Sequence, residues 1–173
     1  NLNGGTSASS STFWRGDGAW AAVGGGVFGS VGFAAYLSGV LNLADFTTTD
    51  VPFQTEMLDT NNAYNTSTGI FTVPVAGKYF LGTTLMFSDN QGNMSDMQAY
   101  IAIAGSGDDI NRAESTSDAT TFTKNTLNWT GVSPSLSIND TVKIMVRIDT
   151  NDGSGGELSH GTYKNTFWGY NIA

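Results

Sequence analysis

The 173-residue sequence contains no cysteine, which excludes disulfide frameworks, thiolate nucleophiles, iron-sulfur clusters and cysteine-ligated zinc. Its single histidine, His160, rules out metal sites that need two or three imidazoles from one chain, and it leaves histidine-based catalysis to one unpaired residue. Basic residues are scarce. Seven Lys and Arg stand against fifteen Asp and Glu, a net charge of -8, the wrong sign for a surface that neutralises phosphates. Nucleic acid is therefore not an expected partner.

Charge of either sign is sparse at 13% of residues, whereas Gly, Thr, Ser and Asn together supply 76 positions. Such a composition favours short strands and tight turns over helices. The one long uncharged run, 27 residues from Gly18 to Ala44, has the length of a membrane span. Seven of its residues are glycine, and Ser30, Ser38 and Asn42 add polarity, so it is a poor helix and no membrane insertion is expected. Gly24-Gly25-Gly26 reads instead as a flexible joint, dividing the chain into a connector or collar at 1–30 and a body at 31–173. The opening Asn1 to Gly5 has neither an initiator Met nor the pattern of a signal peptide, so a fragment of something longer is expected.

The body reads as apolar segments of four to eight residues separated by Gly, Asn, Asp and Ser clusters, an all-β pattern. The clearest strand is Thr141 to Ile148, in which Val142, Ile144, Val146 and Ile148 share one face while Thr141, Lys143, Met145 and Arg147 share the other. Further strands are expected at Phe33–Leu37, Val51–Leu58, Ile70–Val73, Lys78–Phe87, Met97–Ala104, Thr120–Trp129 and Thr166–Ile172. Turns fall at Thr68-Gly69, Ala76-Gly77, Ser106-Gly107 and Gly153 to Gly156. Eight strands or more in so short a body imply two packed sheets.

Two resemblances add to this reading. Ser9 to Trp20, with Phe13, Trp14, Arg15, Gly16, Asp17 and Gly18, resembles a Ser-Ser-Thr-Phe-aromatic-or-Leu-Arg-Gly-Asp-Gly-x-Trp segment of bacteriophage tail-fibre and other virion proteins. Its rings need a partner surface, because the surrounding residues are too small and polar to bury them. Arg15-Gly16-Asp17 also spells an integrin tripeptide, but a Gly-rich turn accounts for it as well.

The second resemblance spans residues 32 to 173. Asn62 and Tyr64, then Thr68-Gly69-Ile70-Phe71, then Pro74, Gly77, Tyr79 and Phe80, resemble the globular head of the C1q and tumour-necrosis-factor superfamily. Leu136 to Val142 is similar to that family's Leu-x-x-Gly-Asp-x-Val turn, with Asn139 in the glycine place; both residues tolerate positive φ. Thr166-Phe167-Trp168-Gly169-Tyr170 resembles its closing strand. The resemblance implies a jelly-roll β-sandwich of about ten strands that assembles as a homotrimer, with Tyr79, Phe80, Phe167, Gly169 and Tyr170 as structural and trimer-core residues.

No residue pattern demands catalysis. Carboxylate pairs such as Asp108-Asp109 or Asp149 with Asp152 and Glu157 suit glycosidic cleavage only when a cleft sets their separation, and here they lie in Gly-rich turns that favour Asp for local reasons. His160 beside Gly161 reads as a loop side chain. Calcium is the metal whose ligand chemistry these loops suit, with Asp149 and Asp152 as ligands. The EF-hand pattern fails, however, since Gly153 takes its fifth place and no Glu closes it. No other cofactor is indicated.

The combined reading is a non-enzymatic receptor-binding head of a trimeric phage-type virion fibre. Its loops Ser88–Asp96, Gly105–Asp118 and Thr150–His160 would meet a host-surface glycan or protein through Asp108, Asp109, Arg112, Asn151 and Asp152. A structural trimerisation or capping module contacting other virion proteins, or a secreted extracellular C1q-like binding protein, are the alternatives.

Overall fold

A computed structural model describes residues 12–14, 16–17, 19–22, 29–89, 91, 93–104, 109–116, 122–161 and 164–172. In chain order the strands are β1 (Thr12–Trp14), β2 (Trp20–Ala22), β3 (Gly32–Tyr36), β4 (Leu41–Leu43), β5 (Thr49–Asp50), β6 (Thr55–Asp59), β7 (Tyr64–Asn65) and β8 (Ile70–Thr72). They continue with β9 (Tyr79–Ser88), β10 (Met94–Ala104), β11 (Asp109–Thr116), β12 (Lys124–Val132), β13 (Thr141–Thr150), β14 (Gly156–Leu158) and β15 (Thr166–Asn171). No helix occurs among the described residues.

The long strands form two antiparallel sheets. One runs β6-β3-β15-β9-β12, with β14 and β4 continuing beside the far end of β9; the other runs β7-β8-β13-β10-β11, with β5 beside β13. This is the jelly-roll sandwich. β1 and β2 make a separate two-stranded ribbon.

Alternation explains the packing. On β13, Val142, Ile144, Val146 and Ile148 are fully buried while the intervening residues are half-exposed. From the other sheet, Phe33, Tyr79, Leu81, Leu85, Phe87 and Phe167 close the same core. Phe33 sits at its centre, with ring centroids 4.2 Å from Phe71, 4.8 Å from Phe167 and 5.5 Å from Tyr64. Gly169 lies directly beneath. A Cβ there would come within 2.5 Å of Leu81 Cδ2 and 2.9 Å of Phe33 Cε1, so only glycine lets β15 run under these groups. Asn139 holds φ 73° in the turn before β13, the left-handed conformation that Asn tolerates better than most side chains.

Several expectations need correction. Gly105–Asp118 is not one loop, since Asp109–Thr116 is strand β11, paired with β10 along its length. Val51–Leu58 is not one strand: Thr49–Asp50 pairs with β13, and Thr55–Asp59 pairs with β3 in the opposite sheet. The chain crosses between sheets at Val51 to Gln54, burying Val51 and Phe53 on the way. Thr150–His160 contains β14, which pairs with β4 and β9.

Candidate functional site

The outward face of the β6-β3-β15-β9-β12 sheet is assembled from residues that alternate with the core positions. Register aligns Tyr170 with Phe80 and Phe80 with Val132, then Trp168 with Gly82 and Gly82 with Thr130, then Thr166 with Thr84 and Thr84 with Asn128. Gly32, Ala34 and Tyr36 of β3 and Leu58 of β6 extend these rows. None of these residues is charged. Charge borders these rows at both ends: exposed Lys78 stands two residues before Phe80, its carbonyl accepting from the Ile172 N–H at 2.8 Å, and Lys124 and Glu157 lie beside Ser88 at the far end.

The rings on this face are organised by the backbone below them. Trp168 lies flat over Gly82, where any Cβ would overlap the indole. Phe80 is 5.6 Å from both Trp168 and Tyr170, and the Trp168 and Tyr170 planes are nearly parallel at 12°. Leu58 and Val132 are each 51% exposed at the flanks. Toward the polar end, the Thr84 hydroxyl donates to Asn128 Oδ1 at 2.8 Å. Aromatic surface without charge, ordered by ring contacts, is surface suited to burial against protein.

The expected structural set therefore divides. Tyr79, Phe167 and Gly169 lie inside the sandwich, where the Tyr79 hydroxyl donates to the Val75 carbonyl at 2.7 Å. Burial pushes the Tyr79 hydroxyl above its ordinary pKa of 10.0. Phe80 and Tyr170 point the other way, onto the uncharged face. Trp168, Gly82, Leu58 and Val132 belong with them. The sequence signal for this group was the even-numbered positions of β9 and β15 read together.

A second candidate surface lies at the Glu157 end. The loop after β9 and the turn between β13 and β14 meet there: Asn151 N–H donates to the Asn93 carbonyl at 3.0 Å, and Asn93 Nδ2 donates to Asp152 Oδ2 at 2.8 Å. Between them a cavity of about 580 Å³ opens, lined by Asn42, Ser88, Asp89, Gln91, Ser154 and Glu157 with the backbone of Gly155 and Gly156. Ser88 Oγ donates to Glu157 Oε1 at 2.9 Å and lies 2.7 Å from Ser159 Oγ. Asp89 is committed to its own loop, accepting from the N–H groups of Gln91 and Asn93 at 3.1 and 2.8 Å. Asn42, Gln91 and the second oxygen of Glu157 retain hydrogen-bonding capacity for a ligand.

Of the expected contact residues, Asn151 and Asp152 lie in this turn. Asp152 is exposed, and the Ser154 side chain and N–H hold its carboxyl below the ordinary range. Asp108 lies outside the described residues, as do the side chains of Asp109 and Arg112, whose backbones belong to β11. Arg112 stands opposite Tyr100 in the β10-β11 register. The sequence thus scattered its contact set over two regions, and the structure describes contacts for one.

The two proposed metal ligands differ in setting. Asp149 is on β13 opposite Asp96, whereas Asp152 is in the following turn. Among the described residues no three His, Cys, Asp or Glu side chains converge in a way that could hold a metal ion. Beside Asp149 on the outward face of this second sheet, Arg147 reaches Asp96 Oδ2 at 3.3 Å and stacks 4.3 Å above the Phe46 ring. Gln98 Nε2 then bridges Asp96 Oδ2 and Glu114 Oε1 at 2.7 and 2.8 Å.

Comparison with known proteins places this architecture. Murine APRIL at pH 5.0 matches over 82% of this chain and 98% of its own, with 16% identity and a TM-score of 0.63. The globular domain of zebrafish complement 1qA matches over 83% and 98%, with 14% identity and a TM-score of 0.58. The Eiger TNF of S. frugiperda matches over 83% and 92%, with 10% identity and a TM-score of 0.62. No curated protein sequence matches the chain. At these identities the structures establish a shared fold. The family model of the C1q domain matches residues 33–170, most of the chain and a stretch that reaches into every one of the thirteen strands of the two sheets, and the chain therefore belongs to the C1q domain family.

Proposed function

We propose that this chain is a non-enzymatic binding head that assembles as a homotrimer through the uncharged face of Phe80, Trp168 and Tyr170. The observation that carries the reading is that face itself. In a chain of net charge -8, an ordered aromatic surface without charge resists solvent exposure and is relieved by burial in a closed cyclic interface. The resemblance of Ser9 to Trp20 to virion segments supports a phage-type fibre tip, and the cavity around Asn42, Gln91 and Glu157 suits hydroxyl-rich groups of a host surface. Three copies of a weak site on one rigid body give strong attachment through avidity. The structural relatives named above are animal proteins, which favours a secreted extracellular binding protein as the second reading.

Light scattering coupled to size exclusion tests the assembly. From a subunit of 18.2 kDa, a mass of about 55 kDa is expected for a closed trimer. Trp168→Glu should give folded monomer, because Trp168 lies outside the sandwich core. A wild-type monomer overturns the reading. Binding of the trimer to bacterial envelope or to animal cell surfaces then separates the two settings.

A further inference from the structure

Thr12–Trp14 and Trp20–Ala22 form a two-stranded ribbon, in which Thr12 pairs with Ala22, Phe13 with Ala21 and Trp14 with Trp20. An isolated two-stranded hairpin is marginal in water. This one carries two indoles packed edge to face at 5.5 Å, both only half-buried. The Trp20 Nε1 hydrogen is enclosed and meets no acceptor among the described residues. The ribbon is thus a sticky element whose own strands do not complete it.

Its attachment point is informative. Gly29 N–H donates to the Asn171 carbonyl at 2.9 Å, and Gly32 pairs with Tyr170. The chain therefore enters the body at the aromatic end of the uncharged face, next to Tyr170, Phe80 and Val132. Only six residues separate Ala22 from Gly29, seven steps of the backbone with a reach of at most about 25 Å. The ribbon carries one charge of each sign, Arg15 and Asp17, and every residue from Gly18 to Ala44 is uncharged, so three such segments converge with no net charge, without the repulsion that a net charge of -8 per chain would otherwise impose.

We propose that the three Trp14–Trp20 ribbons of a trimer pack against one another around the same axis, forming a second association element below the heads. The inference rests on the trimer reading. The occupant of each ribbon's exposed indole surface is the ribbon of a second copy. Joining of the heads raises the local ribbon concentration to about the millimolar range expected for short tethers, at which contacts too weak to associate free hairpins become populated.

The natural absence of cysteine makes the test direct. Full-length Ala19→Cys, on the exposed turn side of Trp20, is compared with Thr68→Cys, on an exposed turn of the opposite sheet. Each is treated with a short bis-maleimide, and its mass is measured in parallel. Rapid covalent dimers from Ala19→Cys and few from Thr68→Cys are expected. In the wild-type background, Trp14→Ala with Trp20→Ala should raise the subunit concentration at half-dissociation by about tenfold or more. If the protein is trimeric but Ala19→Cys links no faster than Thr68→Cys, the ribbon proposal is overturned and the head trimer stands. If the mass is that of a monomer, both fall. Unchanged dissociation in the double Trp variant likewise counts against the ribbon alone.

Discussion

Replacing Gly169 with alanine adds one methyl group at the most crowded point of the sandwich. The new Cβ would stand 2.5 Å from Leu81 Cδ2 and 2.9 Å from Phe33 Cε1, about an ångström inside comfortable carbon contact. Neither neighbour has room to retreat. Leu81 is wholly buried, and Phe33 is fixed by Phe71, Phe167 and Tyr64 on its other sides. Overpacking of this kind costs about 1–3 kcal/mol. With about 2–4 °C lost per kcal/mol at this chain length, the melting temperature should fall by about 2–12 °C. Gly39→Ala is the matched control, since a Cβ there meets nothing within 4 Å and the glycine holds no positive φ. Its melt should stay close to wild type. Scanning calorimetry of the three proteins at one concentration decides the matter. Superimposable melts for Gly169→Ala and Gly39→Ala would refute the packing argument.

Further outcomes follow from the same geometry. Burial raises the Tyr64 hydroxyl pKa above 10.0, so the folded state keeps a proton that the unfolded chain releases; stability is intact below about pH 10 and declines above it by about 1.4 kcal/mol per pH unit for each such tyrosine. Tyr64→Phe should flatten that decline in alkaline urea titrations, and an unaltered slope would contradict it. Arg147→Ala removes the counter-charge of the Asp96 carboxylate, whose side chain is only 11% exposed and keeps the Gln98 amide as a partner, and should cost about 3 kcal/mol by urea unfolding. Lys143→Ala removes an ion pair to Asp50 with side chains 33% and 53% exposed, and should cost less than about 1 kcal/mol. Equal losses would show that burial does not distinguish the two pairs.

The two-sheet architecture was legible in the sequence because its strongest strands alternate cleanly. In β13, Val142 to Ile148 reads unambiguously as a half-buried strand, and the motifs around Tyr79 and Gly169 fix their neighbours. β11 was not legible. Asp109-Ile110-Asn111-Arg112-Ala113-Glu114 has too few apolar residues to announce itself, and it is a strand because β10 offers it a hydrogen-bonding edge. β4 and β14 are three residues each, below the length at which periodicity carries information. For the candidate site, Phe80 and Tyr170 were visible as aromatics in a motif. That Trp168 shares their face and lies on Gly82 depends on a register between residues 86 positions apart. The cavity near Glu157 was equally hidden, since Asn42, Gln91 and Glu157 meet only through β4, β9 and β14.

The position of β15 between β3 and β9 bears on biogenesis. The centre of the first sheet is filled by the last strand of the sandwich to leave the ribosome, so β3 and β9 wait, unbridged, until synthesis of the domain is nearly complete. Pairing Phe33 with Gly169 closes a loop of well over a hundred residues, a slow step of the kind that limits folding of non-local β topologies. Because Trp168 and Tyr170 arrive on that same strand, the uncharged face is unfinished on every nascent chain. For the trimer proposed above, unfinished polypeptides would thereby be kept from joining completed subunits, and assembly would act as a quality check on translation.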